Sequence, residues 1–199
     1  NVPQKARLLE WHVERIRGVK RQTTVLQSPV KALLDAGCEL MRLAETHDLP
    51  VVVHTAINPQ DRWAQVSDCL EVARRFPAVR FNLAHSLRFH VEFLHQAASL
   101  PNVWVDCSAR LVPCQLAVEN SPAVAPAEKR VDADYRQPAQ VLEAVHDVLG
   151  DRYLWGSDFP FCSWQDGQVS GIYSYSDETA LFIQLNDSTR RAMLQGSPQ

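Results

Sequence analysis

The chain has no run of about 18 apolar residues, so nothing in it reads as a membrane-crossing helix. No charged-then-apolar leader opens it either. Its cysteines, Cys38, Cys69, Cys107, Cys114 and Cys162, are odd in number and form no C-x-x-C pair. That argues against a disulfide framework and for reduced thiols in a cytoplasmic protein. No glycine-rich phosphate loop follows an apolar stretch, so a nucleotide-binding doubly wound fold lacks its usual sign. Charge of one sign is not in excess: a formal net charge of -3 over 199 residues gives no reason to expect nucleic acid or an anionic membrane as partner. These absences leave a single expected domain over residues 1–199, with a core of its own and a small molecule as its partner. The first residue is Asn1, and the expectation is that the sequence begins inside a longer protein.

What is present is an alternation of short apolar runs with helical patterns. Residues 3–12 read as a short helix, 16–20 as a strand and 21–28 as a polar loop. Pro29 opens a helix with Leu33, Leu34, Cys38, Met41 and Ala44 at helical spacing, closing near His47, which reads as a surface cap. Residues 51–53 are three valines, and so unbroken a β-branched run suits a parallel strand covered on both faces. A helix striped by Trp63, Val66, Leu70 and Ala73 follows, then a strand to His85 and a helix in which His90 and His95 read as solvent-facing. The strand at 102–107 precedes a proline-dotted stretch from 109 to 135 with little periodicity. Residues 138–149 are helical, 153–155 a strand, and 177–185 and 188–194 two closing helices, the first capped by Ser174 or Ser176. The pattern predicts an α/β fold with a parallel sheet.

Three strands end on residues that ligate metals: 49–54 on His54, 79–85 on His85, and 153–155 three residues before Asp158. An Asp at the end of a buried strand is costly unless a cation waits for it. Alternation predicts Phe81, Leu83 and His85 on one face, lining the interior. Ligand-type residues at the carboxyl ends of successive strands point to a (β/α) barrel, whose active sites lie at that face. Only five strands are counted where closure needs eight. In such a site imidazole and carboxylate hold a divalent ion, which lowers the pKa of a water to about 7 for attack on a carbonyl. His54 is then a metal ligand, Asp158 a ligand or the base, and His85 a second ligand or a proton donor to the substrate oxygen. Lys20, Arg21, Arg88, Arg110 and Trp164 sit near strand ends as weaker candidates.

His-Thr at 54–55, Ala-His-Ser at 84–86 and Gly-Ser-Asp-Phe-Pro at 156–160, in this order and spacing, resemble the amidohydrolase superfamily. The nearest likeness is to its TIM-barrel metal-dependent hydrolases, a branch that also holds decarboxylases of the aminocarboxymuconate-semialdehyde type. The resemblance implies a (β/α)8 TIM barrel of which about strands four to eight are present, with Lys20 on strand four. It implies that His54 and Asp158 bind a divalent metal, usually zinc, and that His85 binds a second metal or acts on substrate. The family's His-x-His of strand one is absent from this sequence. The expected activity is therefore hydrolysis of an amide, ester or lactone by the C-terminal part of such an enzyme. A decarboxylase on the same site is the alternative, and a non-catalytic barrel remnant the third reading. An incomplete barrel leaves two strand edges open, so association into a homo-oligomer is expected.

Overall fold

The computed structural model describes residues 8–166 and 169–195, with the side chains of 163–170 outside that description. Five strands, β1 (Val19–Arg21), β2 (Val51–Val53), β3 (Phe81–Leu83), β4 (Val103–Asp106) and β5 (Tyr153–Leu154), form one parallel sheet. Their spatial order follows the chain, β1-β2-β3-β4-β5. A doubly wound sheet reverses direction at a switch point; this one never does, which is how successive strands of a (β/α) barrel are laid down. In register, Val19 pairs with Val51, Val51 with Phe81, Phe81 with Val103 and Val105 with Tyr153, so the carboxyl ends of the strands lie together.

The helices among the described residues are α1 (Thr23–Leu26), α2 (Glu39–Thr46), α3 (Val66–Arg75), α4 (Val91–Ser99), α5 (Leu111–Val118), α6 (Pro138–Leu149), α7 (Tyr175–Gln184) and α8 (Asp187–Gln195). Of the helix expected at 3–12, residues 8–10 are helical and 3–7 lie outside the described residues. The helix expected from Pro29 to His47 divides. A 3-10 segment, Val30–Leu34, precedes Gly37, which sits at φ +89° and resets the chain before α2. His47 is the exposed cap of α2, as expected.

The aperiodic stretch after β4 is not structureless. It holds α5, with Val112, Pro113, Cys114, Leu116 and Ala117 buried. A helix apolar on every side carries no amphipathic stripe, so its period is invisible in the sequence. Helix α6 has the bounds that Pro138 at its first turn and Gly150 beyond its end predict. Ser174 caps α7 in a reciprocal box with Asp177. A hairpin of β6 (Ser163–Asp166) and β7 (Val169–Ile172), unforeseen from the sequence, follows the Asp158 loop. All five cysteines are free.

The sheet's faces are the reverse of the expected assignment. Val51, Val53, Phe81, Leu83, Val103, Val105 and Tyr153 are each at most 1% exposed and sit in the main core cluster. Phe81 and Leu83 therefore face the helices, not the interior. The inward face carries Lys20, Val52, Asn82, Trp104 and Leu154, none of which is fully buried. Val52, Asn82 and Leu154 line an open groove of about 660 Å³ at the amino-terminal end of this face. Helix packing buries whichever parity is apolar at every position, and on β3 that parity excludes Asn82.

A buried ion pair ties the last strand's loop to the C-terminal helices. Arg110 donates from Nε to Glu178 Oε2 at 2.8 Å, both side chains being 0% exposed, and from Nη2 to the Gly156 carbonyl at 3.1 Å. Glu178 also accepts from the Leu111 amide at 3.3 Å. Arg110 is thus a structural link, not a substrate contact.

Two outcomes are expected. Glu178→Ala, which strands Arg110 without a countercharge, should cost about 3–5 kcal/mol in urea unfolding; a change below 1 kcal/mol would contradict the role given to the pair. The 199-residue chain, with β1 and β5 leaving sheet edges unpaired among the described residues, should associate in a concentration-dependent way in sedimentation velocity. A concentration-independent monomer would contradict that.

Candidate active site

His54 follows β2 directly, and its parity places it on the inward face. His85 reaches the same cavity by a different route. Residues 85–89 form one left-handed turn, with φ of 66° at His85, 50° at Ser86, 47° at Leu87, 56° at Arg88 and 66° at Phe89. Left-handed helix costs a non-glycine residue roughly 1–2 kcal/mol. The turn is held by burial of all five residues and by specific bonds. Ser86 Oγ shares a hydrogen bond with the Tyr153 hydroxyl at 2.7 Å, and Arg88 Nε donates to the Thr55 carbonyl at 3.0 Å. The carbonyls of Arg88 and Phe89 accept from the amides of Ala125 and Val131 at 3.1 Å each.

The His85 ring is oriented from behind. Its Nδ1 donates to the Ser108 carbonyl at 2.9 Å, with Ser108 Oγ at 3.2 Å, so Nε2 carries the lone pair of the neutral ring. Nε2 lies 2.9 Å from His54 Nδ1 and 4.0 Å from Asp158 Oδ2. His85 stands between the other two candidates. With both rings neutral, His54 Nδ1 donates to His85 Nε2. Burial lowers the His54 pKa to about 3, assisted by the charges of Arg88 and Lys20, and burial holds His85 well below its ordinary value.

Asp158, at φ 60°, accepts from Lys20 Nζ at 2.8 Å through Oδ1. The cation that a strand-end Asp requires is therefore Lys20, reached across the arc from the opposite edge strand. These residues line one cavity of about 330 Å³ at the carboxyl end of the sheet, with Gln22, Val25, Arg88, Val112 and Phe161 among its walls. Of the other arginines considered from the sequence, Arg21 turns to Ser28 Oγ at 2.8 Å, and Arg110 is taken by Glu178. The Trp164 side chain lies outside the described residues. His90 is not solvent-facing: it is 6% exposed and stacks on Phe93 with centroids 4.3 Å apart, while His95 is exposed.

Asp106 and Ser108 are the residues that sequence reasoning missed. Asp106 is 6% exposed and accepts from Ser108 Oγ at 2.5 Å, Ser108 N at 3.0 Å, His85 N at 3.3 Å and Asn82 Nδ2 at 2.8 Å. Burial raises its pKa, against the pull of those bonds. It holds Ser108, which holds His85. The signal was available: Asp106 stands at the carboxyl end of its strand, as His54 stands just past that of β2.

The donors present suit a divalent cation by type. Two neutral imidazoles and one carboxylate is a donor set of the number and kind that catalytic zinc keeps. Their spacing is not yet that of ligands, because the two imidazole nitrogens are in hydrogen-bond contact, and no group of three or more His, Cys, Asp or Glu among the described residues already surrounds one point.

Comparison with known proteins bears on the fold and the family. No curated protein matches the chain. Among solved structures, an amidohydrolase from Burkholderia multivorans with bound HEPES is 22% identical with a TM-score of 0.61, over 98% of this chain and 67% of its own. A second crystal form, with bound zinc, gives 21% and 0.57 over 91% and 62%. Dihydroorotase from Campylobacter jejuni is 15% identical with a TM-score of 0.59, over 95% and 59%. The 5-carboxyvanillate decarboxylase of Sphingomonas paucimobilis is 12% identical with a TM-score of 0.53, over 96% and 60%. The chain thus spans about 59–67% of the length of these structures, and the likeness is one of fold: an arc of a TIM barrel. The amidohydrolase family profile matches residues 3–198, and the chain belongs to that family.

Proposed function

We propose that the chain carries the catalytic face of a metal-dependent hydrolase that cleaves an amide, ester or lactone with an activated water. The observation that supports this best is the convergence of His54 Nδ1, His85 Nε2 and the Asp158 carboxylate on one cavity, with both rings held neutral. His54, His85 and Asp158 would hold the ion, zinc being the one bound in a neighbour. A divalent cation supplies Lewis acidity at such a site, polarising a carbonyl and acidifying water.

The chain's own residues do the rest. Lys20 fixes one oxygen of Asp158, leaving the other to take a proton from the attacking water and pass it to the leaving group. The Ser108 carbonyl fixes the His85 tautomer, so Nε2 meets the cavity as an acceptor in the neutral ring. Asp106 keeps Ser108 in place. Decarboxylation is the second reading, favoured by the cations Lys20 and Arg88 in the cavity wall, which suit a reacting carboxylate.

Metal-reconstituted protein screened against amides, esters, lactones and aromatic carboxylates, with product and carbon dioxide both measured, separates the two readings. Turnover with none of them would leave the non-catalytic remnant. For an active substrate, Asp158→Asn should lower turnover by roughly 10²–10⁴-fold, and His54→Ala should lower metal content. If His85→Ala abolishes turnover with metal content unchanged, His85 is an acid–base group and not a ligand; unaltered turnover would dismiss both roles.

The pH dependence follows from His54. Its folded pKa of about 3 lies below the ordinary 6.5, so the unfolded chain binds the extra proton between those values. The stability this group contributes is fully present above 6.5 and is lost as pH falls toward 3. In metal-free protein the His54 ring resonances should stay those of neutral imidazole at pH 5; a midpoint near 6.5 would contradict this.

A further inference from the structure

We propose that Cys38 is the peroxide-sensitive thiol of this chain, and that its oxidised sulfur is received as an anion by the Arg21 guanidinium and the first turn of α2. The inference lies outside the cavity and does not depend on the enzyme reading.

The five thiols are not equivalent. Cys69, Cys107, Cys114 and Cys162 are each at most 2% exposed, and burial pushes all four up, Cys107 to about 11. A peroxide oxidises a thiol where solvent reaches it and where its thiolate forms. Cys38 alone of the five is partly exposed. It is the N-cap residue of α2, an eight-residue helix, and its side chain makes no cap bond there. The first amides of a helix have no intrahelical partners and stand at the positive end of its dipole. Ser, Thr, Asp or Asn at this position would offer them an oxygen acceptor, and a thiol is a weak one.

The second, independent observation is Arg21. Its side chain is 5% exposed and ends β1, and the Cys38 thiol is the group whose charge acts on it, favouring the charged guanidinium against burial. Nη2 donates to Ser28 Oγ at 2.8 Å, while Nε is buried without a hydrogen-bond partner. No carboxylate lies within ion-pair distance of Arg21 among the described residues, Glu39 beside Cys38 included. A buried cation lacking a countercharge and a helix turn lacking a cap therefore meet at one sulfur, and both call for an anionic oxygen acceptor.

Oxidation supplies that acceptor. The sulfur's electron pair attacks one oxygen of hydrogen peroxide, the O–O bond breaks, and the departing hydroxide takes the thiol proton: thiol and peroxide give sulfenic acid and water. A second equivalent gives sulfinate, water and a proton. The sulfinate oxygens then accept charge-assisted hydrogen bonds from the guanidinium and from the first-turn amides.

The test treats the full chain with stoichiometric hydrogen peroxide in the presence of dimedone, which traps sulfenic acid, and maps the labelled peptides by mass spectrometry. Cys38 should carry the label and the four buried cysteines should not. Labelling that favours another cysteine, or no label on Cys38, overturns the proposal. In folded Arg21→Gln the labelling of Cys38 should slow roughly tenfold; an unchanged rate also overturns it. If circular dichroism shows that the variant does not fold, wild-type crystals treated with excess peroxide decide. Sulfinate oxygens within hydrogen-bond distance of Arg21 support the site, and oxygens turned to solvent, or an unmodified Cys38, overturn it. None of these measurements reads turnover, so the outcome stands whether or not the enzyme reading does.

Discussion

Five consecutive left-handed residues cost the backbone several kcal/mol, and the His85 side chain enters the cavity only because the surrounding core offsets that cost. Leu87 and Phe89 are fully buried, each contributing about 1.5–3 kcal/mol, and the Ser86–Tyr153 and Arg88–Thr55 bonds fix the turn to strands on either side. The turn does two things at once. It rotates His85 off the helix-facing parity of Phe81 and Leu83, and three residues later it brings Arg88 to the same cavity. Strain at this point is thus tied to two of the groups that line the cavity.

Much of this was legible in the sequence. The apolar runs ending in His54 and His85, and the one just before Asp158, mark the strands and the face that holds the candidate site, because residue type and strand end are both local features. The order of elements and the family followed from them. Arg88 was visible only as one arginine among several after strand ends; what separates it from Arg21 and Arg110 is the partner each has found, which is tertiary information. The faces of the sheet were misread at Phe81 and Leu83 because alternation alone does not say which side the helices cover. Helix α5 escaped because its sequence is apolar on nearly every side, and Asp106 because it was read only as a member of the strand at 102–107 and not as an acceptor of four hydrogen bonds.

The loop holding Asp158 is anchored from two sides. Arg110 grips the Gly156 carbonyl and is itself gripped by Glu178 of α7, while the Ala109 amide donates to the Ser157 carbonyl at 3.2 Å. The end of β4 and the segment after it therefore serve both histidine and aspartate: Asp106 and Ser108 orient His85, and residues 109 and 110 set the loop of Asp158. Its closeness to the small residues Gly156 and Ser157 is what lets one loop reach both.

The two ion pairs of this region live in different media. Arg110 and Glu178 are sealed from water, whereas the Lys20 side chain is 51% exposed and its partner Asp158 10%. Mobile ions screen charges at the surface over a Debye length of about 8 Å at physiological ionic strength and scarcely reach buried ones. Added salt should therefore loosen Lys20 from Asp158 while leaving the architectural pair intact. The ionic strength of the medium thereby becomes a control on how much of the Asp158 negative charge the cavity feels, independent of anything that holds the fold together.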